Sequence, residues 1–174
     1  MSEQARAPRG AWRLFTAAWH RILSALLVFS VAILVVPVSL QIFSRYTTLI
    51  PAYIWTEEMA RFLFVWLIMI GAMVGMREGT HFIVDMWPKL SPRADAALQL
   101  VSGVAVLLFA GVFVVAGWEF TGFAFNRISE LAELPLWMIH VAWPLLGLSW
   151  LAFQGERMVD LWRVATGREG GARR

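Results

Sequence analysis

At 174 residues, with 59% hydrophobic and 16% charged residues, the chain is too apolar for a single water-soluble domain. Its longest hydrophilic stretch is under about twenty residues, which leaves no room for a nucleotide-binding fold or a separate catalytic domain. Cysteine is absent, which excludes disulfides, thiolate metal sites and cysteine nucleophiles; the net charge of +3 comes from arginines flanking apolar runs, a pattern suited to anionic lipid and not to nucleic acid.

Four uncharged apolar runs, Ile22–Ser44, Phe62–Met76, Ala96–Trp118 and Leu134–Gly155, predict an all-α integral membrane protein with four transmembrane helices. A helix needs about 20 apolar residues, at 1.5 Å each, to cross roughly 30 Å of hydrocarbon. Ahead of the first run stand Arg6, Arg9, Arg13 and Arg21, so residues 1–20 read as a basic cytoplasmic tail. A secretory core is only about 7–15 residues long and ends in a small-residue cleavage site. This run is longer and ends Gln41-Ile42-Phe43-Ser44-Arg45, so a retained helix is expected over 21–44. Pro37 removes the backbone bond to the carbonyl of Ile33. Gln41, strongly polar inside this helix, is expected to bond another helix.

The second helix is expected over 57–76, its short apolar run extended by Trp55-Thr56-Glu57-Glu58-Met59-Ala60-Arg61. Thr56 can cap it, and the helix dipole favours Glu57 and Glu58 in the first turn. Arg61 follows Glu57 by four residues and Glu58 by three, so both acids can reach it along one face. Three readings of this cluster stand: a self-neutralised helix start, a polar contact with another membrane subunit, or coupling-ion binding. Two acids with one arginine leave one carboxylate without a partner in this chain, and an intramembrane charge is a functional candidate. Farther on, Gly71-Ala72-Met73-Val74-Gly75 is a GxxxG stretch that lets another backbone approach closely.

After the loop Arg77–Asp95, Ser91-Pro92 reads as an N-cap followed by proline at the first position of a third helix over 92–120. The connection Glu119–Pro135 carries Glu119, Glu130 and Glu133 against Arg127, a mildly acidic surface. The fourth helix is expected over 135–160, with Pro144 freeing the carbonyl of His140, and residues 161–174 form a second basic tail. The two tails and the Arg77–Asp95 loop hold twelve of the 15 Lys+Arg, the other two connections only Arg45 and Arg127. The positive-inside rule then puts both termini in the cytoplasm. Trp12, Trp19, Trp87 and Trp162 fall near that boundary and Trp55, Trp118 and Trp137 near the other, as an aromatic belt requires.

Little here suggests catalysis. His20 and His81 share a boundary, and only as a facing pair could they hold a haem, which would make the chain a membrane redox subunit. Ser, His and Asp are too scattered for a nucleophilic triad, and no helix has two acids in its midsection for proton relay. A stand-alone small transporter or channel would need the polar mid-membrane groups that the runs lack.

The stretch Ile54-Trp55-Thr56-Glu57-Glu58-Met59-Ala60-Arg61-Phe62-Leu63-Phe64-Val65-Trp66, continuing through Gly71-Ala72 to Arg77-Glu78-Gly79-Thr80-His81-Phe82-Ile83-Val84-Asp85, resembles the signature of the small permease subunit of TRAP (tripartite ATP-independent periplasmic) transporters. Leu134-Pro135-Leu136-Trp137, with Pro144 downstream, resembles the same family's fourth helix, whereas Arg127–Glu133 departs from its small, proline-containing turn. The resemblance covers about residues 20–160. It implies a four-helix scaffold in the bacterial inner membrane, joined to a large permease subunit and helping to form the docking surface for a periplasmic substrate-binding protein. The large subunit would hold the organic acid and the sodium, and this chain would bind no cofactor. Glu57, Glu58, Arg61, Arg77, His81 and Asp85 match the family's polar positions and are expected to be contact or structural residues, not substrate ligands.

Overall fold

Backbone N–H and C=O groups inside hydrocarbon must be satisfied within their own segment, which long apolar runs achieve as helices. The computed structural model describes residues 10–47, 53, 55–78, 92–130 and 132–165. These form α1 (Ala11–Tyr46), α2 (Trp55–Glu78), α3 (Pro92–Ala124), α4 (Trp137–His140) and α5 (Ala142–Ala165). Three of them, α1, α2 and the Leu98–Ala124 part of α3, are long and apolar enough to cross a membrane.

The helix starting at Ala11 corrects the expected tail: residues 11–20 are its first turns. Counting apolar residues stops at Arg21, but Arg13 and Thr16 find polar partners on α5, so the helix continues past the uncharged run. At 36 residues α1 is about 54 Å long, well over one hydrocarbon thickness. Pro37 sits inside it, buried, and does not end it. Pro92 opens α3 as expected, while Ser91 lies outside the described residues. The fourth expected helix is divided. Proline 144 has no N–H to give the carbonyl of His140, and the break falls at Val141, between α4 and α5.

The long helices alternate in direction. Arg13 meets Asp160, Arg77 meets Thr16 and Arg157 meets Gln99, which gathers the starts of α1 and α3 with the ends of α2 and α5. At the opposite end Trp66 bonds Met138, and Phe120 lies against His140. Packing is mostly pairwise: α1 lies on α2, α3 on α5, and the two hairpins join through α2 and α5, with the first turns of α1 also meeting α5, giving the order α1–α2–α5–α3. Among the described residues α1 and α3 do not touch. The helices therefore form a row, not a closed bundle.

An apolar cluster of Leu23, Met69, Ile70, Met73, Val74, Ala142, Leu146 and Phe153 fills the join. On α1 the buried residues Thr16, Leu23, Ser30 and Pro37 recur every seventh position, the seam of a left-handed helix pair, while most other apolar side chains of α1 are exposed. The α3–α5 contact depends on small residues. A Cβ added at Gly147 would lie 2.7 Å from the Ala110 carbonyl oxygen, and one at Gly117 2.8 Å from the nitrogen of Pro144. Close backbone approach of this kind gains dispersion energy where lipid offers no hydrophobic drive between helices.

Candidate functional site

Polar side chains gather at the two ends of the row. At the loop end, α2 begins with Glu57 and Glu58, whose side chains diverge. Glu57 and Arg61 pair at 3.7 Å, both about two-thirds exposed. Glu58 is only 8% exposed, and its Oε2 accepts the backbone N–H of Ala132 at 2.6 Å. The carboxylate expected to lack a partner in this chain therefore has one, because a backbone amide from a loop 74 residues away is invisible to charge counting. Thr56 does not act as the expected cap: its hydroxyl donates to the Tyr53 carbonyl at 2.6 Å.

The loop that Glu58 holds is a small hairpin. Ser129 N donates to Leu134 O at 2.8 Å, Leu136 N donates to Arg127 O at 3.0 Å, and Ile128 and Pro135 form an antiparallel bridge. Glu133, at φ 52°, closes the turn in the left-handed region that non-glycine residues seldom occupy. Between hairpin and α2 opens a cleft of about 580 Å³, lined by Glu58, Arg61, Arg127, Ser129, Glu130 and Leu136 among others. The guanidinium of Arg127 lies 4.0 Å from the centroid of the Phe123 ring, a cation–π contact.

At the terminal end, Arg77 donates to the Thr16 carbonyl and sits 5.4 Å from the Phe153 ring centroid, joining α2 to both α1 and α5. Arg13 pairs with Asp160 and lies 3.8 Å from Glu156, while the buried Thr16 hydroxyl donates to Glu156 at 2.6 Å. Trp19 donates its indole N–H to Ser149 at 3.0 Å. His20 Nε2 stands 3.5 Å from Glu78 Oε1. His81 and Asp85 lie outside the described residues, so the paired-histidine arrangement has no described partner. Among the described residues, no three His, Asp or Glu side chains gather as a metal site would need.

The structure thus brings Glu57, Glu58 and Arg61 together at one end and sets Arg77 at the other. Gly71 and Gly75 make no tight approach within the chain: a Cβ at Gly71 would meet Leu27 at 3.7 Å, and one at Gly75 nothing within 4 Å. Sequence reasoning missed Arg13, Thr16, Glu156 and Asp160 as a joint. The signal was available in the i, i+4 spacing of Glu156 and Asp160, which puts two acids on one helix face opposite a basic N-terminal segment.

Comparison with known proteins gives this arrangement a family. Residues 34–164, three quarters of the chain, match the family described as tripartite ATP-independent periplasmic transporters, DctQ component. The chain belongs to this TRAP family. It is similar to the C4-dicarboxylate TRAP transporter small permease protein DctQ of Rhodobacter capsulatus, 33% identical over 118 residues, covering 64% of this chain and 50% of the relative. The sialic acid TRAP transporter small permease protein SiaQ of Vibrio cholerae is 27% identical over 116 residues, 66% of each chain. A DctQ protein of Pseudomonas aeruginosa is 33% identical over 73 residues, 41% of this chain and 35% of its own length. The match thus spans half the length of the first relative and just under two thirds of the second. TRAP membership and three membrane-capable helices make this a multi-pass protein of the bacterial inner membrane.

Proposed function

We propose that this chain is the small scaffold subunit of a TRAP-type secondary transporter that imports an organic acid on an ion gradient. It crosses the membrane four times with both termini in the cytoplasm, so the terminal end of the row is the inner end and the hairpin lies outside. A large permease subunit holds the substrate and the coupling sodium, and a soluble periplasmic binding protein delivers the substrate. Glu57, Arg61, His81, Asp85 and the open position at Gly75 are offered to partners, whereas Glu58 and Arg77 hold the scaffold itself, and Gly71 lies against Leu27.

One observation carries this reading: the described charged side chains cluster at the two ends, and the join between the hairpins is largely apolar. An anion and a cation cannot shed water in such a middle without several kcal/mol of compensation each. The organic-acid class is supported by the relatives, which are named for C4-dicarboxylates and for sialic acid, both carboxylates.

The test is reconstitution in liposomes with and without a large TRAP permease subunit and a periplasmic binding protein from the same organism. Sodium-gradient uptake of an organic acid is expected only with all three. Gradient-dependent uptake by this chain alone would sink the scaffold reading, as would full uptake by the other two without it.

A further inference from the structure

An apolar groove runs between the first turns of α1 and the middle of α5, next to the polar joint at the terminal end. Trp12, Phe15 and Trp19 of α1 and Leu145, Leu148 and Ala152 of α5 enclose about 370 Å³. Ser149 also lines it, but its hydroxyl is spent: it accepts the Trp19 indole N–H at 3.0 Å and donates to the Leu145 carbonyl at 2.8 Å. Trp12, Phe15 and Leu148 are each more than half exposed. From Leu145 to Ala152 the groove follows α5 for about 10 Å. Spread over that length, its volume gives a cross-section of about 35 Å², room for an extended hydrocarbon chain but not for a helix about 10–12 Å across. One turn beyond Ala152, on the same helix face, stands Glu156, and Asp160 follows it by another turn. Asp160 is nearly half exposed and Arg13 about a third, and they pair with each other. Arg77 is occupied by the Thr16 carbonyl and the Phe153 ring. Two acids thus face two arginines, and among these groups the joint carries no net positive charge.

We propose that this groove holds one acyl chain of an inner-leaflet phospholipid, whose zwitterionic phosphoethanolamine headgroup rests on Arg13 and Asp160. The site goes beyond the scaffold reading; only the leaflet rests on the orientation argued there. A hydrocarbon chain on an isolated helix meets protein on one side. Here it meets α1 on one side and α5 on the other, and dispersion attraction grows with the number of atoms in contact. Trp12 and Trp19 line the groove, and indoles favour the depth where headgroups meet hydrocarbon. Carboxylate and guanidinium side by side complement an ammonium and a phosphate, the two charges of this headgroup. An anionic headgroup finds no surplus cation there.

The experiment is native mass spectrometry of the full chain, alone and in complex with a large permease subunit, after equilibration with equal amounts of phosphatidylethanolamine and phosphatidylglycerol. Wild type should keep one phosphatidylethanolamine per chain, in both preparations, at detergent levels that strip phosphatidylglycerol. Ala152→Leu fills the groove and should cut that retention about tenfold. Asp160→Asn should keep a lipid but lose the preference for phosphatidylethanolamine. Val115→Leu, at an exposed position of α3 outside the groove, should change neither. Where Ala152→Leu fails to fold, Leu148→Ala decides: it removes an exposed wall of the groove and should lower retention about threefold. Wild type that keeps no lipid, or keeps both lipids equally, overturns the proposal. So does retention that the groove variants leave unchanged, or a preference that survives Asp160→Asn. A lipid kept by the isolated chain but absent from the complex also overturns it, marking the groove as a subunit contact. None of these readouts uses transport, so a failure here leaves the scaffold reading standing.

Discussion

Glu57 and Glu58 are neighbours in sequence but point about 100° apart on α2, and that rotation separates their roles. One stays in water beside Arg61, the other turns inward and fastens the hairpin through the Ala132 amide. Truncating Glu58 to Ala leaves a shielded backbone N–H without its acceptor, a loss of about 1–3 kcal/mol. The hairpin should then open roughly tenfold or more often, since 1.4 kcal/mol is a factor of ten. Trypsin cleavage after Arg127 in detergent-purified protein would report this as a faster rate in Glu58→Ala, with Glu57→Ala close to wild type. Equal rates in the two variants would show that the Glu58 bond does not hold the loop. The sequence made this cluster conspicuous because charges at a helix start are countable. It could not say which acid turned inward, because that depends on where a distant hairpin folds back.

Helix boundaries were legible where local chemistry sets them: Pro92 opens α3, and the break before α5 follows from the missing N–H of Pro144. The start of α1 was not, because Gly10, at φ 113°, and a partner helix decide it rather than the apolar run. Helix contacts within the chain were hidden in a similar way. The GxxxG spacing of Gly71 and Gly75 names no partner, whereas the described glycines closest to the backbone of another helix are Gly117 and Gly147. Gly147→Ala forces its methyl against the backbone of α3 at Ala110 and Val114, and overpacking of this sort costs about 1–3 kcal/mol. Gly75→Ala meets empty space and improves helix propensity, by up to about 1 kcal/mol. Thermal unfolding of the purified subunit should therefore show a lowered midpoint for Gly147→Ala and none for Gly75→Ala. A Gly75→Ala chain that is stable alone but fails to co-purify with the large subunit would identify that open face as the contact.

At the scale of the whole molecule the row of helices has two central members, α2 and α5, and two edges, α1 and α3, that expose most of the large apolar side chains. The orientation argued from charge can be checked by reporter fusions. Fusions after Thr48 and Glu130 should read periplasmic, and those after Lys89 and Gly167 cytoplasmic. A cytoplasmic signal at Thr48 would invert the arrangement. The ion pairs joining α1 to α5 were hidden in the sequence because their arginine had a sufficient explanation as part of the charge bias. Arg13 and Asp160 are 147 positions apart, and this separation has a consequence in time. At about 5–20 residues per second, roughly 7–30 s pass between synthesis of the arginine and arrival of its aspartate. During that interval Thr16 and Arg13 have nothing on α5 to bind, although the α1–α2 hairpin can already pair. A chain cut short before Glu156 would carry its first helix turns unlatched, which gives quality-control proteases a physical difference between finished and unfinished copies.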